Sequence, residues 1–257
     1  MNLIYKWLNF YTVRKDNHTR YKDHTFERDL PLFKKYIQQG YCIAVYPEGV
    51  RNPDSKIVRY HKGPFYLAKE LGVDIVPVFI HGLNNIMPIG SFAINSGSIY
   101  IVVEKRIAPD RPLWDNDYQI MTKLVHKFYI QRYAELRREI ETPKYFEQLV
   151  KDRYLYKGTD IYYSVKKHLK QYDCYSQYIS QLPNDGIVVV EQCGYGELAL
   201  LIALSKPNLT IYALDDDKEK LLVAQYASEH IVNNINYADV PLQYDIIIKL
   251  NNKGQIV

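Results

Sequence analysis

Short apolar runs of strand length alternate with helical patterns in two separate parts of the 257-residue chain. In the first part, YCIAVYP (41–47) predicts a buried strand, FYLAKELG (65–72) a helix that ends at Gly72, and DIVPVFIHG (74–82) another strand. In the second part, the strand runs are IVVVE (187–191), LTIYALD (209–215) and DIIIKL (245–250). Consecutive parallel strands need a crossover that is usually a helix. A repeated order of strand, helix and strand therefore predicts the α/β class, with a mainly parallel sheet.

Other patterns complete the first part. LNFYTV (8–13) predicts a short strand, and SIYIVVEKRI (98–107) alternates like a strand near a sheet edge. Between them, the spacing of Phe26, Leu30, Phe33 and Ile37 predicts a helix. Pro31 indicates that this helix starts late or bends, and Gly40 is the expected stop.

A charged helical region joins the two parts. From Asp115 to about Glu141, the residues Met121, Leu124, Val125 and Phe128 recur on one helical face, and the pattern stays helical to about residue 182. We therefore predict three segments: a first α/β domain at 1–112, a helical bridge at 113–182, and a second α/β unit at 183–257, incomplete at its C-terminus.

Composition narrows the class of protein. Hydrophobic residues make up 47% and charged residues 24%, which is typical of a globular chain with a real core. The cysteines, Cys42, Cys174 and Cys193, are too few and too scattered for a disulfide framework or a zinc pattern, so no metal is expected. The longest apolar stretches, such as 198–204, fall far short of a membrane span. A net charge of +4 favours weak attraction to anionic surfaces.

VYPEGVRN (45–52) is the strongest local motif. Gly49 allows a positive φ or the close approach of a ligand, and the planar guanidinium of Arg51 suits a phosphate. Shortly afterwards, HKGPF (61–65) places Lys62 just before a helix, where the helix dipole favours an anion. The two motifs predict an anion site. A strand-end turn with a solvated arginine and no ligand could have the same sequence.

Taken together, these residues resemble the lysophospholipid acyltransferase family, best known from 1-acyl-glycerol-3-phosphate acyltransferases. The family's P-E-G-x-R-S block stands here as YPEGVRN, with Asn52 in place of serine. YHKGPF (60–65), DIVPVFIHG and the upstream FYTVR (10–14) are similar to three further family blocks. The resemblance implies an α/β acyltransferase fold from about residue 3 to 107.

The same resemblance implies a function and a site. Arg14, Glu48, Gly49, Arg51 and Lys62 would line the pocket for the phosphate or polar head of the acceptor. Acyl-CoA or acyl carrier protein would be the acyl donor, a lysophospholipid-type hydroxyl the acceptor, and no cofactor would be required. The expected location is cytoplasmic, with peripheral contact at the inner membrane face and without nucleic acid.

The catalytic block of the family is a histidine followed five residues later by an aspartate. NHTRYKD (17–23) has that spelling in His18 and Asp23, but it follows the block FYTVR that it should precede. Matched by position, the family's first block would fall before Met1. We therefore interpret NHTRYKD as a coincidence, assign no catalytic residue, and expect either an inactive relative or a chain completed by an upstream-encoded segment or protein.

The second part resembles class I methyltransferases with a partial Rossmann-like fold. IVVVEQCGYGELALLIAL (187–204) is a strand, a glycine turn and a helix, and the next strand ends at Asp215. The resemblance implies that Gly194, Gly196 and Asp215 would bind S-adenosylmethionine. Two functions thus remain as alternatives to acyl transfer: a non-catalytic scaffold that binds an anion or nucleotide, and a methyltransferase.

Overall fold

The computed structural model describes residues 26–52, 56–89, 94–171, 173–237, 242–251 and 253–256. Contacts divide the chain into two compact units. The first consists of residues 1–79 and 101–133, and the second of residues 80–100 and 134–257. The predicted strand at 8–13 and the residues Arg14, His18 and Asp23 lie outside the described residues.

Two helices dominate the start of the first unit. Helix α1 (Phe26–Gln38) contains Pro31 and is already helical before it, so the late start expected from this proline is wrong. Gly40 ends the helix as predicted: its φ is +83°, and the N–H of Tyr41 donates to the carbonyl of Tyr36. Helix α2 (Gly63–Leu71) ends at the left-handed Gly72, also as predicted, and packs against α1.

The predicted buried strand at 41–47 is not formed. These residues have no strand assignment, and Tyr41, Val45 and Tyr46 are exposed. A strand in the middle of a sheet needs hydrogen-bonded neighbours on both sides, and among the described residues no strand pairs with this run. Arg51 therefore does not follow the end of an assigned strand.

Among the described residues, this part contains a two-stranded sheet, which is smaller than the sheet expected from the sequence. Strand β1 (Val78–His81) and strand β2 (Tyr100–Val103) pair with each other, and an antiparallel bridge joins Ile75 to Ile107. Both strands are shorter than predicted. Within the first unit, Phe79 of β1 packs its ring on Tyr129 and Tyr133.

Helices connect the strands as the charged pattern predicts. They are a short helix α3 (Leu83–Ile86), a 3₁₀ turn (Pro112–Trp114), and helices α4 (Tyr118–Ile140), α5 (Pro143–Arg153), α6 (Thr159–Gln171) and α7 (Asp173–Gln181). The predicted helical face of α4 is buried at Met121 and Val125, whereas Phe128 on the same face is 54% exposed.

The second unit contains the parallel sheet. Strands β3 (Asp185–Glu191), β4 (Asn208–Leu214), β5 (Ile235–Asn236) and β6 (Ile246–Lys249) lie in the order β5-β4-β3-β6, all parallel. Helices α8 (Glu197–Ser205) and α9 (Lys218–Ser228) are the crossovers. Val188, Val190 and the apolar residues of α8 are buried in one core with residues of α5, α6 and α7.

Candidate functional site

The first candidate site is a tight turn that contacts the start of helix α2. The N–H of Gly49 donates to the carbonyl of Tyr46 at 3.1 Å, and the φ of Gly49 is +67°. The N–H of His61 donates to the carbonyl of Pro47 at 2.7 Å. A Cβ on Gly49 would lie 2.9 Å from the ring of His61. The Pro-Glu-Gly and His-Lys-Gly motifs are therefore side by side.

Glu48 ties a third segment to this turn. Its Oε2 accepts a hydrogen bond from the N–H of Val58 at 3.1 Å, so the carboxylate shapes the loop that leads to the second motif. Close by, burial and the negative charge of Glu48 raise the pKa of the Tyr60 hydroxyl well above its usual value. Tyr60 also lies against His126, whose Nε2 is 3.0 Å from the carbonyl of Val58.

The cations of the motifs lie at the surface. Lys62 occupies the N-cap of α2, and its Nζ donates to Oε1 of Gln119 at 2.7 Å. Arg51 is exposed, and the neighbouring Asn52 donates from Nδ2 to the carbonyl of Lys56 at 2.8 Å. The arrangement can present positive charge to an anion from solvent, with the turn of Gly49 and the N-terminus of α2 beneath it.

His81, at the end of β1, is in a different environment. It is 3% exposed, its Nε2 is 3.5 Å from Oε1 of Glu141, and its ring lies against Tyr145. Burial lowers the pKa of His81, and Glu141 acts in the opposite direction. A neutral, enclosed imidazole of this kind has a packing role in β1.

The second candidate site is the glycine turn between β3 and α8. Gly194 and Gly196 have φ values of +60° and +79°. A Cβ on Gly196 would lie 2.6 Å from the Cβ of Ala224, so this glycine permits close packing of α9. A Cβ on Gly194 would meet nothing within 4 Å, so the backbone there borders open space.

Asp215 reaches this turn from the end of β4. Its Oδ2 accepts from the N–H of Gly194 at 2.8 Å, and its Oδ1 accepts from the N–H of Asp217 at 2.9 Å. Beneath the turn, burial and the charges of Asp215 and Glu197 raise the pKa of the Cys193 thiol. The carboxylate thus fixes the turn while keeping lone pairs for a further donor.

A hydrogen-bonded pair supports the same turn from the side of α6. Oε1 of Glu197, the first residue of α8, is 2.6 Å from Nδ1 of His168 on α6. The hydroxyl of Tyr154 donates to the carbonyl of Tyr195 at 2.8 Å. The sequence patterns did not indicate these contacts, because they join residues far apart in the chain.

The first part of the chain is similar to known acyltransferases. Residues 2–81 match the family model described as Acyltransferase. The chloroplastic 1-acyl-sn-glycerol-3-phosphate acyltransferase BAT2 of Brassica napus is 35% identical over 72 residues, which cover 28% of this chain and 21% of the relative. LPAT1 of Arabidopsis thaliana, with the same activity in its name, is also 35% identical over 72 residues. These residues cover 28% of this chain and 20% of LPAT1.

A solved structure is also similar. It is the 1-acyl-sn-glycerophosphate acyltransferase PlsC from Thermotoga maritima, at 24% identity and a TM-score of 0.38, covering 43% of this chain and 44% of that one. The chain spans about a fifth of the length of the two curated relatives named above. The acyltransferase resemblance is confirmed for residues 2–81, whereas the methyltransferase resemblance of the second part stays a prediction.

Sequence reasoning missed two neighbours of the first site. Gln119 binds Lys62 and lies 57 residues away, so no local pattern indicates it. The contact of His61 with Gly49 shows how the two motifs fit together, and no local pattern indicates it. Among the described residues, no helix is long and apolar enough to cross a membrane, and no group of His, Cys, Asp and Glu could hold a metal ion.

Proposed function

We propose that the chain transfers a fatty acyl group from a thioester to the hydroxyl of a lysophospholipid. The observation that carries this proposal is the contact between the two motifs, where the His61 N–H bonds the Pro47 carbonyl. Both motifs lie inside the segment that matches the Acyltransferase family. The matched relatives are named for acyl transfer to 1-acyl-sn-glycerol-3-phosphate, whose phosphate is the type of anion that the exposed cations suit.

The proposed roles follow from the chemistry of each side chain. Arg51 and Lys62 bind the acceptor's phosphate, with Arg14 as a further cation outside the described residues. Glu48 holds the loop at Val58, and Gly49 gives the turn its positive φ. Acyl-CoA or acyl carrier protein supplies the acyl group. We assign no described side chain as the base that removes the proton of the acceptor hydroxyl.

Release of thiol from acyl-CoA or acyl carrier protein, with lysophosphatidate as acceptor, tests this proposal. Arg51→Ala should raise KM for lysophosphatidate by about tenfold, the effect of one charge-assisted contact of about 1.4 kcal/mol, and leave KM for the donor unchanged. Arg138→Ala, an exposed arginine of the second unit, is the matched control.

Two outcomes would oppose the proposal in different ways. Equal weakening of donor and acceptor by Arg51→Ala would remove the assigned role of Arg51. Binding of lysophosphatidate without any thiol release would favour the alternative of a non-catalytic anion-binding scaffold. His18→Ala should leave the rate unchanged, because NHTRYKD is interpreted as a coincidence.

We propose a second function for residues 183–257, which is binding of a nucleoside cofactor such as S-adenosylmethionine. The strand order β5-β4-β3-β6 corresponds to 3-2-1-4, the first four places of the doubly wound nucleotide-binding order. The open backbone at Gly194 and the lone pairs left on Asp215 fit a ribose, and Gly196 supports the turn. Equilibrium dialysis with S-adenosylmethionine should show binding that Asp215→Asn weakens, and absence of binding would remove this function.

The proposed location follows from the proposed substrate. An enzyme that acylates a lysophospholipid must meet its acceptor at a lipid surface, so we place the chain at the cytoplasmic membrane face as a peripheral protein. The segments 1–112, 113–182 and 183–257 are the proposed acyltransferase-like domain, helical bridge and Rossmann-like unit. Sedimentation with lipid vesicles, reversed by high salt, is the expected behaviour.

A further inference from the structure

The part of helix α4 that belongs to the first unit is packed on one side only. Met121, Val125 and Tyr129 recur at every fourth residue and are buried. The ring of Tyr129 lies against the ring of Phe79 on β1, with the two centroids 5.1 Å apart. These contacts hold the helix in place, so its other side is available to a partner without any change in the fold.

That other side is exposed between Ile120 and Ile130. Spacings of three and four residues place four side chains on it: Ile120, Lys123, Lys127 and Ile130. Ile120 is 40% exposed, Ile130 is 45% exposed, and both lysines are exposed. Phe128 lies at the border of the same surface and is 54% exposed. These five residues are called the outer face of α4, which is about 15 Å long at about 1.5 Å per residue.

The outer face carries positive charge and no carboxylate. Between Tyr118 and Tyr133 the sequence contains neither Asp nor Glu. Lys123 and Lys127 form no ion pair among the described residues, whereas the Nε of Arg132 pairs with Oε1 of Glu104 at 2.8 Å and adds no charge. The acidic residues nearest in sequence lie beyond the two ends of the stretch, and they are Asp115, Asp117, Glu135 and Glu139. The middle of the outer face therefore has two lysine charges among apolar side chains.

Lysines that alternate with apolar side chains suit the boundary of a lipid layer. The alkyl stem of a lysine covers apolar surface, while its ammonium group extends to a head group or to water. Helix faces of this composition lie in the membrane interface, with the apolar side chains among the lipid tails and the lysines at anionic head groups. A helix face that meets only water usually alternates charges of both signs, and the outer face does not.

The outer face also adjoins the first candidate site. Nζ of Lys62, at the N-cap of α2, donates to Oε1 of Gln119 at 2.7 Å, and Gln119 directly precedes Ile120 in α4. A lipid layer in contact with Ile120 would hold the head groups of its lipids close to Lys62. The same surface that binds the membrane would therefore bring a phosphorylated acceptor to the cations proposed to bind it.

We propose that the outer face of α4 binds the surface of an anionic lipid membrane. Ile120, Phe128 and Ile130 insert at the level of the lipid tails, and the ammonium groups of Lys123 and Lys127 contact the phosphates of the head groups. This inference rests on the proposed function, which requires a lipid surface, and it adds the residues that meet that surface. None of the five residues belongs to the Pro-Glu-Gly or His-Lys-Gly motif.

Sedimentation of the full chain with vesicles tests the proposal, using phosphatidylcholine alone and phosphatidylcholine with an equal amount of phosphatidylglycerol. The anionic vesicles should bind at least about tenfold more tightly than the neutral ones. Lys123→Gln with Lys127→Gln should weaken binding to the anionic vesicles by about twentyfold, at about fivefold per lysine, and leave the neutral vesicles unchanged. Ile120→Ser with Ile130→Ser should weaken binding to both kinds of vesicle by about tenfold.

A matched variant controls for charge alone. Lys167→Gln with Lys170→Gln removes two exposed lysines from α6, so it lowers the net charge by the same amount as the change on α4. It should change binding to the anionic vesicles by less than about twofold, because attraction to the lipid charge falls off within a Debye length of the membrane. All the substituted side chains are exposed, so the fold is expected to persist.

Three results would overturn the assigned surface. The first is unchanged binding to the anionic vesicles in the Lys123→Gln, Lys127→Gln variant. The second is an equal loss in the α6 variant, which would assign binding to net charge. The third is self-association of the unsubstituted chain that Ile120→Ser with Ile130→Ser abolishes, which would assign the outer face to a second copy of the chain.

The acceptor used for acyl transfer separates this surface from the proposed function. The Lys123→Gln, Lys127→Gln variant should lose transfer to lysophosphatidate in anionic vesicles and keep transfer to a short-chain lysophosphatidate in solution. Loss with both acceptors would place the two lysines in the acceptor site and overturn the surface. Weaker vesicle binding in this variant supports the surface even if no thiol is released, and in that case only the proposed acyl transfer fails.

Discussion

Two apolar runs of this chain differ in structure: one forms a buried strand and the other forms no strand. IVVVE (187–191) forms β3, where Val188, Val189 and Val190 are fully buried between β4 and β6. YCIAVYP (41–47) forms no strand, and Tyr46 is 72% exposed. Both runs precede a glycine turn and a helix. Among the described residues, β3 is paired on both sides, by β4 and β6, whereas no strand pairs with residues 41–47.

The comparison shows that a turn can keep its form without the sheet around it. Gly49 retains a positive φ and its contact with His61 although the preceding run forms no strand. Gly194 and Gly196 have the same kind of φ at the end of a buried strand. Local hydrogen bonds determine both turns, whereas burial of the preceding run depends on long-range pairing.

An aspartate introduced into each apolar run is expected to give the largest difference in stability between the two regions. Val189→Asp places an unpaired carboxylate in the core and should destabilise the second unit by more than about 4 kcal/mol. Val45→Asp, at a side chain that is 43% exposed, should change stability by no more than about 0.5 kcal/mol. Urea unfolding of the full chain, followed by circular dichroism, measures both.

Each variant is the control for the other, because the same substitution, valine to aspartate, is made at both sites. Similar losses in the two variants would mean that the run at 41–47 is buried in solution, and the contrast between the two parts would be wrong.

Alanine in the two glycine turns tests which contacts hold them. Gly196→Ala must adopt a positive φ and also meets Ala224, so we expect a loss of about 2–4 kcal/mol. Gly194→Ala has only the backbone cost of about 1 kcal/mol. Gly49→Ala should lie between them, because it meets a side chain, His61, that can move. Thermal unfolding ranks the three, and an equal loss at Gly194 and Gly196 would contradict the packing role of Gly196.

The smallest expected effect is a pH dependence at His81. This strand residue is 3% exposed, and burial holds its pKa below the usual 6.5. The unfolded chain therefore binds more protons in the window below pH 6.5, so stability should fall as the pH drops through it. His81→Phe should reduce this slope, as measured by melting temperatures from pH 7.5 to 5. An unchanged slope would assign the loss to other groups.

Much of the second unit could be predicted because its elements are marked locally. Strands β3, β4 and β6 and their helices lie where apolar runs and periodic patterns place them. In the first unit, Gly40 and Gly72 likewise end helices as expected. The strand at 41–47 could not be predicted correctly, because the pattern shows that the run is apolar but does not show whether partners exist.

Short motifs also do not by themselves determine the structure or the role of their residues. A histidine followed five residues later by an aspartate occurs at His18, at His24 and at His168 in this sequence. His168 is held by Glu197 inside the second unit, where the ring supports a glycine turn. The spelling alone therefore does not identify a catalytic pair. The Pro-Glu-Gly and His-Lys-Gly motifs are more specific, since they occur in family order and contact each other.

Titration of a short-chain lysophosphatidate and of the matching uncharged monoacylglycerol into the full chain tests the central claim most directly. If the two motifs build an acceptor site, the phosphate should improve affinity at least tenfold, and Arg51→Ala with Lys62→Ala should remove that preference. Equal affinity for the two lipids, or a preference that survives in the double variant, would contradict the account.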